Sequence, residues 1–296
     1  MGALRFGIFS FARAPYGRLR DTWQRAEELG LDSAWTDDGL NTPGYSDFEP
    51  WTLLAAQIVT VDHLSGGRVN VGMGTDGPPT PYGAYGHADW PQRERAERLA
   101  EQVAILRGLL RSETVNADGP YYPVRDAQVP PPLQKPNPPI IIAAHGDRGF
   151  RTVARYADGW NSLGGQPYPD GADPDKRVSL QEAVATTRRR SERLDEICQE
   201  LGRDPATIRR SIAAIWPVPD PLTSLDAFDE FVGSYQAIGI DEIIFYWPPI
   251  EHFRSRAPLS TDRWAMLERI AEATGSSTLT PHQAPQVRGL VRQLFP

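Results

Sequence analysis

Cysteine is almost absent from this chain: Cys198 is the only one in 296 residues. No internal disulfide can form, and a reducing, cytoplasmic setting is the expectation. Cys198 lies in the polar helical run RLDEICQEL and reads as a packing residue rather than a nucleophile. Long apolar runs are missing too. No stretch reaches the roughly 18 consecutive apolar residues of a membrane-spanning helix, and MGALRFGIF lacks the apolar core of a signal peptide. Nor is there an excess of basic residues. With 31 Lys and Arg against 38 Asp and Glu, the net charge is −7, which argues against nucleic acid or an anionic membrane surface as partner. The five histidines, at 63, 87, 145, 252 and 282, show no metal-ligand spacing. No G-x-S-x-G elbow, Walker loop or Cys–His pairing occurs.

What is present is a regular alternation of strand and helix. Strands are predicted at Leu4–Phe9, Ser33–Thr36, Arg68–Met73, Ile140–Ala144, Gly159–Asn161, Ile208–Trp216 and Glu242–Trp247. Helices fall between them at Leu19–Leu29, Phe48–Leu64, Pro91–Arg111, Asp147–Tyr156, Leu180–Leu201 and Leu225–Ile238, with a last one at Thr261–Ala273. Gly30 is placed to cap the first helix at its C-terminus. Near-continuous apolar strands such as PIIIAA and EIIFYW indicate a parallel sheet covered by helices. The pattern favours a closed α/β barrel over an open doubly wound sheet, although only seven strands are legible. A single helix separates Ser33–Thr36 from Arg68–Met73, so those two strands are expected to be adjacent and parallel. Three segments stand outside the alternation: the Pro- and Tyr-rich excursion Val115–Asn137, the Gly/Pro-rich candidate lid Ser162–Asp175, and the tail Thr274–Pro296.

The most informative stretch is PPIIIAAHGDRGFRTVARYADGWNS, from Pro138 to Ser162: a buried strand, a turn of small residues, a short helix and another strand. Ala143, Ala144 and Gly146 leave room for an anion to approach the free N–H groups at the helix start. A tight turn with no ligand fits the same residues. Gly72-Met-Gly-Thr-Asp-Gly77 matches G-x-G-x-x-G after a strand, but Pro78, Pro79 and Pro81 follow, so no helix starts there and the nicotinamide fingerprint is rejected. The glycines still let a planar ligand lie close to that strand end. Asp37 and Asp38 are adjacent in sequence and point different ways, which is not a dyad. Arg188–Arg190 reads as a solvated helix face.

Read together, AEELGLDSAWTDD, VDHLSGGRVNVGMG, RERAERLAEQVAILRGLL, PPIIIAAHG and ARYADGWN make the chain resemble the luciferase-like monooxygenase superfamily, over nearly its whole length to about Ala273. The resemblance implies an eight-stranded β/α barrel over residues 1–273, usually dimeric, with FMN or coenzyme F420 at the C-terminal face. It places the cofactor ring near Gly74 and Thr75, and the phosphate among Ala143, Ala144, His145, Gly146, Asp147 and Arg148. Arg148 would then be a charge partner for the phosphate. Pocket candidates are Asp38, Trp160, Asn161 and Trp247; catalytic candidates are Asp38 and His145.

Three departures matter. A strand and parts of two helices are missing where Glu49–Ala56 joins directly to Gln57–Arg68, so a seven-stranded variant is expected. Gly39 follows Asp38 where many relatives have the catalytic histidine. Asp76 stands where relatives have small or apolar residues. The leading reading is a flavin- or F420-dependent oxidoreductase or monooxygenase of a small organic substrate. The alternative is a barrel that binds a flavin or another small ligand without redox turnover, or that catalyses a cofactor-free reaction. A homodimer covering the surface near Phe48–Leu64 is expected.

Overall fold

The computed structural model describes residues 4–10, 16–36, 50–75, 90–164, 178–214 and 219–246, together with 265, 266 and 268. Strand β1 (Arg5–Ser10) leads through α1 (Tyr16–Glu28) to β2 (Ser33–Thr36), and α2 (Pro50–Ser65) to β3 (Val71–Met73). Helix α3 (Gln92–Leu110) precedes a two-stranded antiparallel ribbon, β4 (Val115–Ala117) and β5 (Val124–Ala127). Then come β6 (Ile140–Ala143), α4 (Asp147–Tyr156), β7 (Gly159–Ser162), α5 (Leu180–Glu200), β8 (Arg209–Ala214), α6 (Leu225–Gln236) and β9 (Glu242–Tyr246). The ribbon lies within the excursion that the sequence left without secondary structure.

Seven of these strands form one parallel sheet in the order β2-β1-β9-β8-β7-β6-β3. The expected pairing of β2 with β3 is not made: among the described residues they are the two edges of the sheet. The sheet nevertheless curls until those edges meet, because a Cβ added at Gly72 of β3 would lie 3.4 Å from Cζ3 of Trp35 on β2. A side chain, not a backbone ladder, spans the place where a further β/α unit would close the barrel.

Period-2 alternation divides each strand between two faces. The outward faces bury two cores under the helices. One gathers Ile140, Ile142, Phe150, Val153 and Trp160 with Leu99, Val103 and Leu106 of α3; the other gathers Ile8, Ile212, Ile243 and Phe245 with Phe228, Phe231 and Tyr235 of α6. Ile141, Ala213 and Ile244 are buried but belong to neither core, as befits residues on the inner face. Cys198 is fully buried in the first core, where it packs as expected. Gly30 does end α1: its φ is +76°, and Leu31 N–H donates back to the Ala26 carbonyl at 3.0 Å. Of the last predicted helix, Ala265, Met266 and Glu268 are described and helical; Glu268 pairs with Arg25, and Met266 packs on the second core. Among the described residues no helix is long and apolar enough to cross a membrane.

Candidate active site at the strand ends

The strand ends bring together residues far apart in sequence. β3 and β6 pair with Met73 opposite Ile142, which sets Gly74 beside Ala143: a Cβ on Gly74 would lie 3.5 Å from that of Ala143. β6 pairs with β7 so that Ala143 faces Asn161. Gly74, Ala143 and Asn161 therefore share the inner face, with two of the three offering almost no side chain. The Asn161 amide donates to Ser211 Oγ at 2.9 Å, which fixes its orientation. Across the inner face, Phe9 is in register with both Trp35 and Tyr246, and the Phe9 and Tyr246 rings stack at 4.7 Å. These three aromatics form a wall that the sequence reading did not single out. The i, i+2 parity within RFGIFS, SAWT and EIIFY was the signal available for it.

The turn after β6 runs into α4, whose first residue is Asp147. Its N-cap is Gly146, and no side chain caps the helix start. The amides of the first turn consequently face outward without an intrahelical acceptor. A Cβ at Gly146 would meet nothing within 4 Å, whereas one at Gly149 would lie 2.8 Å from the Cβ of Ala144. Gly149 is thus required for packing, and Gly146 borders open space. Asp147 is held by Arg193 of α5, with Nη2 to Oδ2 at 2.7 Å and Nε to Oδ1 at 3.2 Å, and this pairing lowers the carboxyl pKa. Arg148 is exposed. His145 is partly buried; burial first, and then the Arg190 charge, push its pKa down to about 4, so its imidazole is neutral at pH 7.

Two expectations need correction. Trp160 does not face the inner surface. It points outward, is fully buried, donates from Nε1 to the Ala144 carbonyl at 2.8 Å, and meets Phe150 edge-on at 6.0 Å. Its parity is opposite to that of Asn161, so only one of two adjacent residues can line a pocket. The side chain of Ala144 is likewise in the core. Arg188–Arg190 is not uniformly a solvated face either: Arg188 and Arg189 are exposed, but Arg190 is partly buried near His145. Asp38, Gly39, Asp76 and Trp247 lie outside the described residues, as do nearly all of the candidate lid and the tail. Thr75 is described, next to Gly74 and partly buried. Among the described residues no group of three His, Cys, Asp or Glu side chains could hold a metal. A separate cleft of about 350 Å³ opens at the opposite strand ends, lined in part by Asp195, Arg210 and Asp241; Asp195 already accepts a hydrogen bond from Arg210 there.

A sequence profile of the luciferase-like monooxygenase family matches residues 48–221, more than half the chain. The chain belongs to the luciferase-like monooxygenase family. Among its relatives is the F420-dependent glucose-6-phosphate dehydrogenase of Kribbella flavida, 26% identical over 263 residues, with 75% of this chain and 77% of that protein covered. Another is the phthiodiolone/phenolphthiodiolone dimycocerosates ketoreductase of Mycobacterium tuberculosis, 28% identical over 217 residues; there the match covers 54% of this chain and 55% of the relative. In fold, the chain is similar to the F420-dependent tetrahydromethanopterin reductase of Methanopyrus kandleri, with a TM-score of 0.68 at 14% identity over 92% of this chain and 98% of that one. A riboflavin lyase solved with modified FMN aligns at a TM-score of 0.63, with 14% identity, 98% of this chain and 95% of that one. Two of these proteins are named as F420-dependent, and a third was solved with modified FMN.

Proposed function

We propose that this protein is a flavin- or F420-dependent oxidoreductase acting on a small, partly apolar organic substrate. The observation that carries the reading is the juxtaposition of Gly74 and Ala143 beside the uncapped start of α4. A planar ring needs a surface without side chains, and a phosphate needs free N–H groups; these two requirements are met at neighbouring strand ends. The residues present therefore fit such a cofactor. Gly74 and Ala143 would lie under its ring, and the amides of Asp147, Arg148 and Gly149 would hold its phosphate. Arg148 is the exposed cation placed to balance the phosphate charge. A bound flavin or deazaflavin supplies the redox chemistry itself.

The protein's own contribution is binding, orientation and exclusion of water. Phe9 and Tyr246 provide apolar surface for a substrate, and Asn161 a fixed polar group on the same inner face. His145, neutral at working pH, can accept or donate one hydrogen bond without bringing a charge to the site. One relative named as a dehydrogenase and another named as a ketoreductase support redox chemistry at a carbon–oxygen centre. Asp38 and Trp247 remain proposed pocket residues on the strength of resemblance. A homodimer through the surface near α2 is also proposed; Val61 and Leu64 there are 51% and 53% exposed and supply apolar area for it.

The test is titration of the protein with FMN and with F420, followed by anaerobic reduction and exposure to oxygen or candidate carbonyl and alcohol substrates. Gly146→Val should weaken cofactor uptake by about tenfold, 1.4 kcal/mol, while costing stability no more than about 1 kcal/mol as a poorer N-cap, since its Cβ meets nothing within 4 Å. Wild-type protein that takes up neither cofactor would end the reading. The unpaired β2 and β3 edges favour one second reading, a barrel that binds the cofactor but has lost turnover. It predicts saturable binding with no reduction by any substrate.

A further inference from the structure

The seam between β2 and β3 is the feature that the family likeness does not explain. Among the described residues neither strand has a backbone partner on that side, yet the seam is filled. The Trp35 indole reaches Gly72, where an added Cβ would lie 3.4 Å from Cζ3 and 3.8 Å from Cε3. Gly72 is exposed, so the strand opposite the indole presents bare backbone. The indole is also anchored from behind. Its Nε1 donates to Ser33 Oγ at 2.9 Å, and Ser33 donates to Glu242 Oε1 of β9 at 2.5 Å. Glu242 is 7% exposed, so this chain of bonds is largely shielded from water. It passes across β1 only because Gly7 lies between: a Cβ there would come 2.1 Å from Ser33 Oγ.

We propose that the Trp35 indole closes this barrel across the seam and is the positioning residue against which the ring of the bound cofactor is held. The inference rests on the cofactor reading for the identity of the ring. An unpaired seam would otherwise admit water to the inner face. An indole seals it with large apolar area and few rotatable bonds, and its face suits offset stacking with another planar system. The aromatic series Tyr246, Phe9 and Trp35 then ends on Gly72, whose backbone the indole covers, and a flat ligand over Gly74 and Ala143 would meet the indole beside it. The Ser33 and Glu242 bonds keep the ring plane fixed as the ligand enters and leaves.

The experiment compares wild type, Trp35→Phe and Trp35→Ala in FMN and F420 titrations read by absorbance and by tryptophan emission. The wild-type-minus-Trp35→Phe emission reports Trp35, and that component should be quenched on saturation. Trp35→Ala should bind about tenfold more weakly, and Trp35→Phe should recover most of the loss, because it keeps a ring without the N–H anchor. A purely packing role would lower the melting temperature of both variants without moving the quenching. Affinity in Trp35→Ala within roughly twofold of wild type, or a Trp35 component unchanged on saturation, overturns the assignment. Should Trp35→Ala fail to fold, the affinity of Trp35→Leu, which keeps apolar volume without a ring, decides in its place. Wild type that binds neither cofactor fails the functional reading and this role together; intact binding in Trp35→Ala fails only the role.

Discussion

Single positions carry unequal burdens here, and glycines show it most clearly. Gly7 has no turn to make; it is needed because Ser33 and Glu242 meet across it. Gly7→Ala would displace the Ser33 hydroxyl and leave a buried carboxylate without its donor. The expected cost is about 1–3 kcal/mol, measured by urea denaturation, and a loss below the error of that measurement would count against the bond. His145 gives a pH signature. Its pKa is about 4 in the folded chain against an ordinary value of 6.5, so the unfolded state binds the proton more readily. Stability from this group is complete above pH 6.5 and is lost as pH falls toward 4, on the order of 3 kcal/mol in all. His145→Asn should flatten the stability profile across that window, and an unchanged slope would contradict it. At this scale the residue types of the turn are legible from sequence, whereas the facing of strand residues is not. Small residues at Ala143–Gly146 announce themselves by type. Whether Trp160 or Asn161 faces inward depends on register with Arg210 and Ser211, partners 50 residues away.

Elements were legible where local pattern and burial agree. α4 was read with its observed bounds because Phe150, Val153 and Ala154 form a clear buried stripe. Its C-terminal carbonyls are held from outside by Arg203, whose guanidinium donates to Ala154 at 3.1 Å and Ala157 at 2.8 Å. The β4–β5 ribbon was missed because its strands have only three and four residues and pair irregularly. What holds the segment between them is not its own pattern but α3. Arg98 lies 3.9 Å from the Trp90 ring centroid and 4.4 Å from that of Tyr121, and pairs with Glu94 at 2.7 Å. The Tyr121 and Tyr122 amides donate to Glu101 of the same helix. Arg98→Met should keep the apolar stem but lose the charge contacts, with a cost of about 1–2 kcal/mol. Hydrogen exchange at the Tyr121 and Tyr122 amides should accelerate while the β6 and β7 amides stay protected. Lysine should not restore the clamp, since an ammonium cannot stack flat between two rings; full rescue by lysine would show that charge alone suffices.

Across the whole molecule the question is how seven strands do the work of a closed barrel. Strand number and shear are linked in a closed sheet, and this sheet keeps β2 and β3 as edges. The seven strands of the main sheet were legible because strand and helix patterns alternate along the chain. The missing closure was not, because adjacency of β2 and β3 is a property of the curled sheet rather than of either segment. Parallel edges with no ladder should be the least protected part of the sheet, and a ligand seated between Trp35 and Gly74 would tie them together. Saturation with the cofactor that binds should therefore do two things. At about 100 times Kd, binding only the folded state adds roughly 2.7 kcal/mol, which for a chain of this size raises the melting temperature by roughly 4 °C. The slowing of hydrogen exchange should also be concentrated at Trp35, Thr36, Val71 and Gly72, with little change at β8 and β9, which are paired on both sides. A uniform rise in protection would mean that the ligand stabilises the fold only through the α4 turn, leaving the seam to the indole alone. No rise in melting temperature with either FMN or F420 would place the ligand of this barrel in another chemical class.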